Sequence, residues 1–229
     1  MKTRIITTAI ALGILTAAGS AQTDTKKVVK TEAVALFNGK NLKGWKHFLV
    51  DDKVKKTDVW SVKDGVLVCK GEPLGYLQTK KSFESYRLEL DWRWAPGGEP
   101  GNSGVLLRIE GKAKSILPKC VEAQLQSGSA GDVWAFYGAK AMGPEDRAKT
   151  VKDHELLGNF VGVAKIKAAE KKPGEWNHYE ITLQGDTLTV KVNGELVNEA
   201  TGLDVLAGPI GLQSEGGEIH FRNVRVTTL

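Results

Sequence analysis

Cysteine is scarce in this sequence, with only Cys69 and Cys120 among 229 residues. Cys-rich clusters, an H-E-x-x-H motif and other compact metal-binding patterns are also absent, so the spacing of residues predicts no cofactor. A divalent metal held by Glu122, Glu215 and His220 is conceivable, but no spacing requires it. The two cysteines form either a disulfide or two separate buried thiols, because both lie in predicted strands and the sequence does not give their distance.

Long apolar runs are limited to the N-terminus, MKTRIITTAIALGILTAAGSAQ, where Lys2 and Arg4 precede an uncharged run over 5–18. Small residues follow as far as Ala21, and this order predicts a signal peptide over 1–21 that is cleaved after Ala21. The run is shorter than the roughly 18 to 20 residues that span a membrane. It is not followed by the cysteine of a lipoprotein. We therefore expect a secreted or periplasmic protein without membrane association after cleavage.

Positive charge is not concentrated in any one segment, although the formal net charge is +5. The predicted signal peptide supplies two of these charges, and the other lysines are scattered instead of grouped with aromatic residues. No nucleic-acid partner is therefore expected. Residues 22–34 are polar and lack aromatic side chains, so we predict a short flexible linker before a domain that covers 35–229.

Amphipathic helices of ten or more residues are also lacking. Period-two alternation dominates from residue 35 onward, in about a dozen short segments such as YRLELDWRW at 86–94. The dipeptide Asn193-Gly194 is a strong signal for a type I′ hairpin turn. Residues 137–172 are predicted to be a long irregular segment that is either functional or mobile. The pattern as a whole predicts an all-β, antiparallel two-sheet sandwich.

Polar side chains with an unusual composition follow one face of several predicted strands. In PKCVEAQLQ (118–126), apolar residues alternate with a carboxylate and two amides, and GNSGVLLRIEG, GPIGLQSEGG and EIHFRNV alternate in the same way. The side chains predicted to share one concave polar surface are Asn102, Arg108, Glu122, Gln124, Gln126, Gln213, Glu215, His220 and Arg222. Those predicted to be buried between the sheets are Val105, Leu107, Val121, Ala123, Leu125, Leu212, Ile219 and Phe221.

A surface of planar amides, carboxylates and guanidinium groups is suited to a sugar, because such groups form fixed hydrogen bonds to neighbouring hydroxyls. Trp134 or Phe136, in GDVWAFYG, can offer a flat apolar face to a pyranose ring. The serines of GNSG and QSGSAG do not lie on a strand-to-helix elbow, so a serine hydrolase is not predicted. The predicted partner is therefore a carbohydrate.

Seven stretches between residue 35 and the C-terminus form a recognisable series: LFNGKNLKGW (36–45), WSVKDGVL (60–67), GNSGVLLR (101–108), VEAQLQSGSAGDVW (121–134), PGEWNHYEI (173–181), VNGELV (192–197) and GPIGLQSEGGEIHFRNVRV (208–226). Together, and in the same order, they resemble the DUF1080 family, also described as the 3-keto-disaccharide hydrolase or 3-keto-glucoside lyase/hydratase domain. The resemblance implies a jelly-roll sandwich of the concanavalin A-like lectin/glucanase type, with activity on 3-keto-glycosides.

Conventional retaining glucanases of this fold carry three acids in the pattern E-x-D-x-E, whereas the comparable strand here reads E-A-Q-L-Q over 122–126. The resemblance instead implies elimination followed by hydration, in which one base removes the proton next to the ketone. Glu122 is the predicted base, His220 or Asp132 the acid, and Arg108 and Arg222 the enolate stabilisers.

The substrate-binding residues are predicted from the same resemblance and from strand parity, which is the alternation of successive side chains between the two faces of a strand. They are Asn102, Arg108, Gln124, Gln126, Trp134, Gln213, Glu215 and Arg222. A polar face of this kind also suits a non-catalytic carbohydrate-binding sandwich of the lectin type, which is the main alternative. A surface sandwich with a structural or protein-binding role is a third. The sequence predicts neither the identity of the sugar nor its linkage.

Overall fold

The computed structural model describes Met1 and residues 32–229. The predicted signal peptide, apart from Met1, and most of the predicted linker lie outside the described residues, and these two predictions stay predictions. Within the described residues, no helix has the length and apolar character needed to cross a membrane.

The described part of the chain consists almost entirely of strands, joined by turns and a single four-residue helix, α1 (Lys56–Val59). The strands are β1 (Val34–Ala35), β2 (Trp45–Leu49), β3 (Trp60–Lys63), β4 (Val66–Cys69), β5 (Gly75–Thr79), β6 (Tyr86–Trp94), β7 (Gly104–Glu110), β8 (Lys119–Gln124), β9 (Val133–Phe136), β10 (Ala148–His154), β11 (Gly158–Val163), β12 (Asn177–Gln184), β13 (Thr187–Val192), β14 (Glu195–Ala200), β15 (Gly211–Ser214) and β16 (Ile219–Thr228).

Two antiparallel sheets pack face to face and confirm the predicted sandwich. The back sheet has the order β14-β13-β12-β6-β16-β4-β3, and β1 also pairs with β16. The front sheet has the order β10-β11-β9-β8-β7-β15-β5-β2. The hairpin predicted at Asn193-Gly194 joins β13 to β14, and both residues have positive φ, as a type I′ turn requires.

The space between the sheets contains the apolar side chains that strand parity assigned to it. All eight residues predicted to be buried there are at most 4% exposed. Strand β6 shows the same alternation, because Leu88, Leu90 and Trp92 are buried in the core while the intervening residues form ion pairs on the outer face. Period two therefore assigned each of these side chains to the correct face of its strand.

Residues 137–172, predicted to be irregular, contain the hairpin of β10 and β11. This expectation was wrong because β10 is an edge strand with most of its side chains exposed, so its sequence, AKTVKDH, carries no buried alternation. Both cysteines are free: Cys69 is in the inter-sheet core, whereas Cys120 is on the outer face of the front sheet. Burial raises the pKa of the Cys69 thiol to about 11.

A buried amide connects the two sheets at one end of the sandwich. Asn198, on β14 of the back sheet, is fully buried, and its Nδ2 donates to the carbonyl oxygens of Gly131 and Val163 at 2.8 Å. Its Oδ1 accepts a hydrogen bond from Arg147 Nη1 at 2.8 Å. The segment that leads into β9 is thereby fixed against the back sheet.

We expect Asn198→Leu to lower the free energy of unfolding by about 2–4 kcal/mol, because two carbonyls and a guanidinium lose buried partners at once. Urea denaturation followed by tryptophan fluorescence measures the change. Glu199→Gln, at the exposed neighbouring position on the same strand, is the matched control. Equal urea midpoints for Asn198→Leu and the wild type would show that the amide does not stabilise the fold.

Candidate active site

A second, smaller hydrophobic cluster covers the outer face of the front sheet. The connection 111–118 and the β10–β11 hairpin pack over this face and contribute Ile116, Leu117 and Leu157 to the cluster. A pocket of roughly 320 Å³ opens between these segments and the polar residues of the sheet. Its size lies in the range of small-molecule sites, roughly 300–1,000 Å³.

The polar floor of this pocket is formed by Asn102, Glu122, Gln124, Gln213 and Glu215. These residues come together because β7 lies between β8 and β15 in the front sheet. Glu122 and Gln124 lie on β8, Gln213 lies on β15, Glu215 follows β15 directly, and Asn102 precedes β7. Glu122 and Gln213 are each 2% exposed, so the floor is withdrawn from bulk solvent.

The Glu122 carboxyl lies against Gly104, in space that is available only because residue 104 has no side chain. A Cβ placed on Gly104 would lie 1.7 Å from Glu122 Oε1, and its nearest neighbours are all atoms of the Glu122 side chain. The backbone of Gly104 lies outside the left-handed region, so glycine is needed here for space and not for conformation.

Hydrogen bonds fix part of the floor and leave the rest available. Asn102 Nδ2 donates to Glu215 Oε2 at 2.7 Å. Gln124 Oε1 accepts from the backbone N–H groups of Leu125 and Gln126 at 2.9 and 3.0 Å, which orients the amide and leaves Nε2 as a donor. Within the described residues, three buried acceptors of the floor have no partner, namely Glu122 Oε1, Gln213 Oε1 and Asn102 Oδ1. Unpartnered buried polar atoms in a pocket indicate groups that await a ligand.

Burial and the negative charge of Glu215 raise the pKa of Glu122 well above its ordinary value. The pKa of Glu215 is raised to about 7, mainly by burial, with the Gln213 amide acting in the opposite direction. Two carboxyl groups in one desolvated site cannot both ionise at low cost, so the pair retains a proton near neutral pH. The deeper Glu122 is the group that holds it.

Aromatic rings form one wall of the pocket. The ring of Phe160 lies 5.0 Å from that of Phe136 and 5.4 Å from that of Trp134. His154 packs edge-on against Phe160, with the ring centres 5.7 Å apart. Its Nδ1 accepts from the backbone N–H groups of Leu156 and Leu157 at 3.3 Å, so in the neutral ring Nε2 carries the proton and is a donor.

Seven of the predicted site residues line this pocket: Asn102, Glu122, Gln124, Gln126, Trp134, Gln213 and Glu215. Sequence patterns did not identify His154 or Phe160, because the hairpin that carries them lacks a recognisable strand pattern. The only available signal was the length of the 137–172 segment, which indicated that the segment is functional or mobile but did not identify any residue within it.

His220 and Arg222 do not join the pocket. Both lie on β16 of the back sheet, where Arg222 Nε contacts Asp91 Oδ2 at 3.1 Å and His220 Nε2 lies 2.8 Å from Glu218 Oε1. The predicted convergence with Glu122 was wrong because strand parity gives the face of a strand but not the sheet to which the strand belongs. The conceivable metal set of Glu122, Glu215 and His220 therefore does not form.

No group of three or more His, Cys, Asp or Glu side chains among the described residues is placed to hold a metal ion. Arg108 is also outside the pocket, which contradicts its predicted place on the shared surface. Its positive φ of 49° interrupts the alternation of β7, and its guanidinium donates to the carbonyl oxygens of Glu84, Gly185 and Asp204. Arg108 thus joins loops of the scaffold.

Asp132 is 7% exposed and is not among the residues that line the pocket. Its Oδ1 accepts from the backbone N–H of Lys165 at 2.8 Å, and its Oδ2 lies 3.3 Å from Lys149 Nζ. These contacts hold the segment before β9 against β10 and the residues after β11. They do not place the carboxylate beside Glu122.

The fold and pocket define a two-sheet β-sandwich with a polar site on the outer face of one sheet. The sandwich itself is similar in fold to a carbohydrate-binding module and to a β-glucanase of known structure. The chain belongs to the family described as the 3-keto-alpha-glucoside-1,2-lyase-like domain, whose model matches residues 32–227. This confirms the resemblance identified in the sequence.

A 3-keto-disaccharide hydrolase of Bacteroides thetaiotaomicron is 21% identical over 238 residues, covering 86% of this chain and 78% of the relative. Among solved structures, a protein of Parabacteroides distasonis provisionally named glycosyl hydrolase is 23% identical with a TM-score of 0.62, covering 86% of this chain and 94% of the other. The carbohydrate-binding module CBM66 of Bacillus subtilis is 16% identical with a TM-score of 0.59, covering 81% and 96%. The structural likenesses show the fold.

The raised pKa of Glu122 makes stability depend on pH. Because this pKa exceeds the ordinary value of 4.5, the Glu122 carboxyl stays protonated in the folded protein at pH values where it ionises in the unfolded chain. Its contribution to folding stability is therefore full below pH 4.5 and is lost as pH rises through the folded pKa. Glutamine at this position is permanently neutral and avoids the loss.

We therefore expect Glu122→Gln to be more stable than the wild type by about 1–3 kcal/mol near pH 8, with a smaller difference near pH 5, because the wild-type carboxyl is neutral there. Thermal denaturation across this range measures both proteins. A difference that does not change with pH would contradict the buried, proton-holding carboxyl.

Proposed function

We propose that this protein is an exported enzyme that cleaves 3-keto-glycosides by elimination followed by hydration. The observation that carries the proposal is the Glu122 and Glu215 carboxyl pair on the floor of the pocket, which shares a proton near neutral pH. Membership of the 3-keto-alpha-glucoside-1,2-lyase-like family supports it. The relative from Bacteroides thetaiotaomicron, which bears the name 3-keto-disaccharide hydrolase, also supports it.

Elimination requires one base and one acid. The ketone at carbon 3 acidifies the hydrogen on carbon 2, so a base can remove this proton and form an enolate. The electron pair then expels the oxygen on carbon 1, which departs as an alcohol after receiving a proton. Water subsequently adds across the double bond between carbons 1 and 2, so that the net reaction is hydrolysis.

We assign the base to Glu215 and the acid to Glu122. A pKa of about 7 leaves Glu215 roughly half ionised at neutral pH and mostly ionised about one unit above it, which suits a general base. Glu122 still holds its proton at that pH and can donate it to the departing oxygen. This differs from the sequence hypothesis, in which Glu122 was the base and Glu215 a substrate-binding residue, because burial in the pocket raises the pKa of Glu122 well above its ordinary value and keeps it protonated.

The enolate would be stabilised by neutral donors. Gln124 Nε2 is oriented as a donor, because two backbone N–H groups hold the carbonyl oxygen of the same amide. His154 Nε2 is a second donor at the pocket, oriented by the hairpin backbone. Pre-oriented donors stabilise developing negative charge without reorganisation at the moment of reaction. They take the place predicted for Arg108 and Arg222.

The test is selective turnover. We expect the purified protein to release free sugar from a 3-keto-disaccharide and to leave the unoxidised parent disaccharide intact, because only the ketone makes the proton on carbon 2 removable. Chromatography of the products over time measures both reactions. Equal cleavage of both disaccharides would overturn elimination as the mechanism.

A non-catalytic carbohydrate-binding function is the second candidate, favoured by the aromatic wall of Trp134, Phe136 and Phe160 beside planar amides. It predicts binding of the ketosugar without any product.

Export rests on the N-terminal sequence alone, and N-terminal sequencing of the protein from culture fractions would test it, since a chain that begins after Ala21 is expected.

A further inference from the structure

The pocket presents two chemically different sides. The polar floor contains the carboxyl pair and the amides described above, whereas the facing wall is hydrocarbon. This wall is formed by Ile116 and Leu117 from the connection 111–118 and by Leu156 and Leu157 from the β10–β11 hairpin, and it is distinct from the aromatic wall described above. Ile116, Leu117 and Leu157 belong to the hydrophobic cluster on the outer face of the front sheet, which is separate from the inter-sheet core.

Hydrogen bonds hold the wall in place without a ligand. Ser115 Oγ donates to the Leu156 carbonyl oxygen at 2.5 Å and lies 2.9 Å from the Tyr137 hydroxyl. Lys114 N donates to the Leu117 carbonyl oxygen at 2.9 Å. The connection 111–118 and the hairpin are therefore fixed to each other, and Leu156, at 46% exposure, extends the hydrocarbon surface to the rim.

A second sugar is poorly matched to this side. Each of its hydroxyl groups that is desolvated against Leu or Ile side chains loses a hydrogen bond to water and gains none. An aryl or alkyl group against the same surface gains from leaving water. The sugar that is cleaved keeps its hydroxyls on the polar floor, where the unpartnered acceptors lie.

We propose that the leaving-group side of the pocket accepts an apolar aglycone, so that aryl and alkyl 3-keto-glycosides are preferred over 3-keto-disaccharides. This inference rests on the proposed function and specifies its substrate class. The wall selects the aglycone by burial of hydrocarbon, and the floor selects the ketosugar by hydrogen bonds. The exposed Leu156 side chain is part of the specificity surface.

The test compares a benzyl 3-keto-glucoside with a 3-keto-disaccharide of the same anomeric form. Benzyl alcohol is chosen because its leaving ability is close to that of a sugar alcohol, so the difference reports on the wall. We expect kcat/KM to be higher for the benzyl compound by about tenfold or more, the size of effect that burial of roughly half an apolar side chain gives. Equal values, or a preference for the disaccharide, would overturn the inference.

A substitution at the rim of the pocket and a matched control test whether the preference for the benzyl compound comes from the hydrocarbon wall. Leu156→Asn should reduce the benzyl-to-disaccharide ratio by about five- to tenfold. Val205→Asn replaces a comparably exposed apolar side chain, at 54% exposure, that is not among the pocket residues, and it should leave the ratio unchanged. An unchanged ratio in Leu156→Asn would contradict the assignment of this wall.

Calorimetric titration of both compounds separates this inference from the proposed reaction. If neither compound turns over but the benzyl compound binds more tightly, the proposed reaction fails and the aglycone preference stands as a property of the site. If the disaccharide binds as tightly as the benzyl compound or more tightly, or if neither binds, the aglycone inference is overturned.

Discussion

Glu122→Gln is expected to lower turnover of a 3-keto-glycoside by about 10²- to 10⁴-fold, the usual contribution of a positioned acid or base. Glutamine has almost the same shape but cannot donate the proton that the departing oxygen requires. Substrate affinity should change little, because the amide still fits the space beside Gly104 and can hydrogen-bond to the sugar. Steady-state kinetics and calorimetry on the same preparation measure the two quantities separately.

Glu110→Gln is the matched control for this substitution. Glu110 ends β7 of the same sheet, and its exposed carboxyl is paired with Lys119 at 3.2 Å, away from the pocket lining. We expect its kinetics to be those of the wild type. Full activity in Glu122→Gln would exclude Glu122 as the acid of the reaction, and a parallel collapse of affinity would assign Glu122 to binding instead.

Gly104→Ala is expected to reduce turnover by about 10²-fold through displacement of Glu122, the loss that a misplacement of about 1 Å typically causes. The added methyl group would meet Glu122 Oε1, and no backbone atom is among its three nearest neighbours. The fold should therefore persist, with a loss of about 1–3 kcal/mol in the free energy of unfolding. Gly98→Ala is the control, because its nearest contacts are at the ordinary distance of 3.4 Å.

A double-mutant cycle distinguishes displacement of Glu122 from general damage. If the cost of Gly104→Ala comes from the collision with this side chain, it should nearly vanish when Glu122→Ala is already present, because the colliding atoms are gone. Urea denaturation of the four proteins gives the interaction energy. Additive losses would show that Gly104 acts through something other than the carboxyl.

Much of the fold was determined by local patterns in the sequence. Alternation of apolar and polar residues assigned Val121, Ala123 and Leu125 to the core and Glu122 to the opposite face, because a period of two fixes the face of each side chain. Asn193-Gly194 specified a hairpin, since few residues tolerate positive φ at both positions. The polar residues on β8 and β15 were therefore identified correctly as neighbours on one surface.

Tertiary structure alone decided which strands share a sheet. His220 and Arg222 alternate with buried apolar residues just as Gln213 does, but β16 pairs with β6 in the back sheet, whereas β15 pairs with β7 in the front sheet. Strand partners are set by long-range packing, which the local alternation does not encode. Arg108 was misassigned for a related reason, because its positive φ breaks the alternation on which the prediction relied.

The sequence by itself thus determined the sandwich, the family and the carboxylate and amides of the strand 122–126. Only the tertiary structure buried Glu122 and Glu215 together, placed Gly104 beside Glu122 and brought the hairpin that carries His154 over the pocket. The physical reason is that the alternation of side chains is a local property of each strand. The raised pKa values and the hydrocarbon wall arise from desolvation by segments distant in sequence.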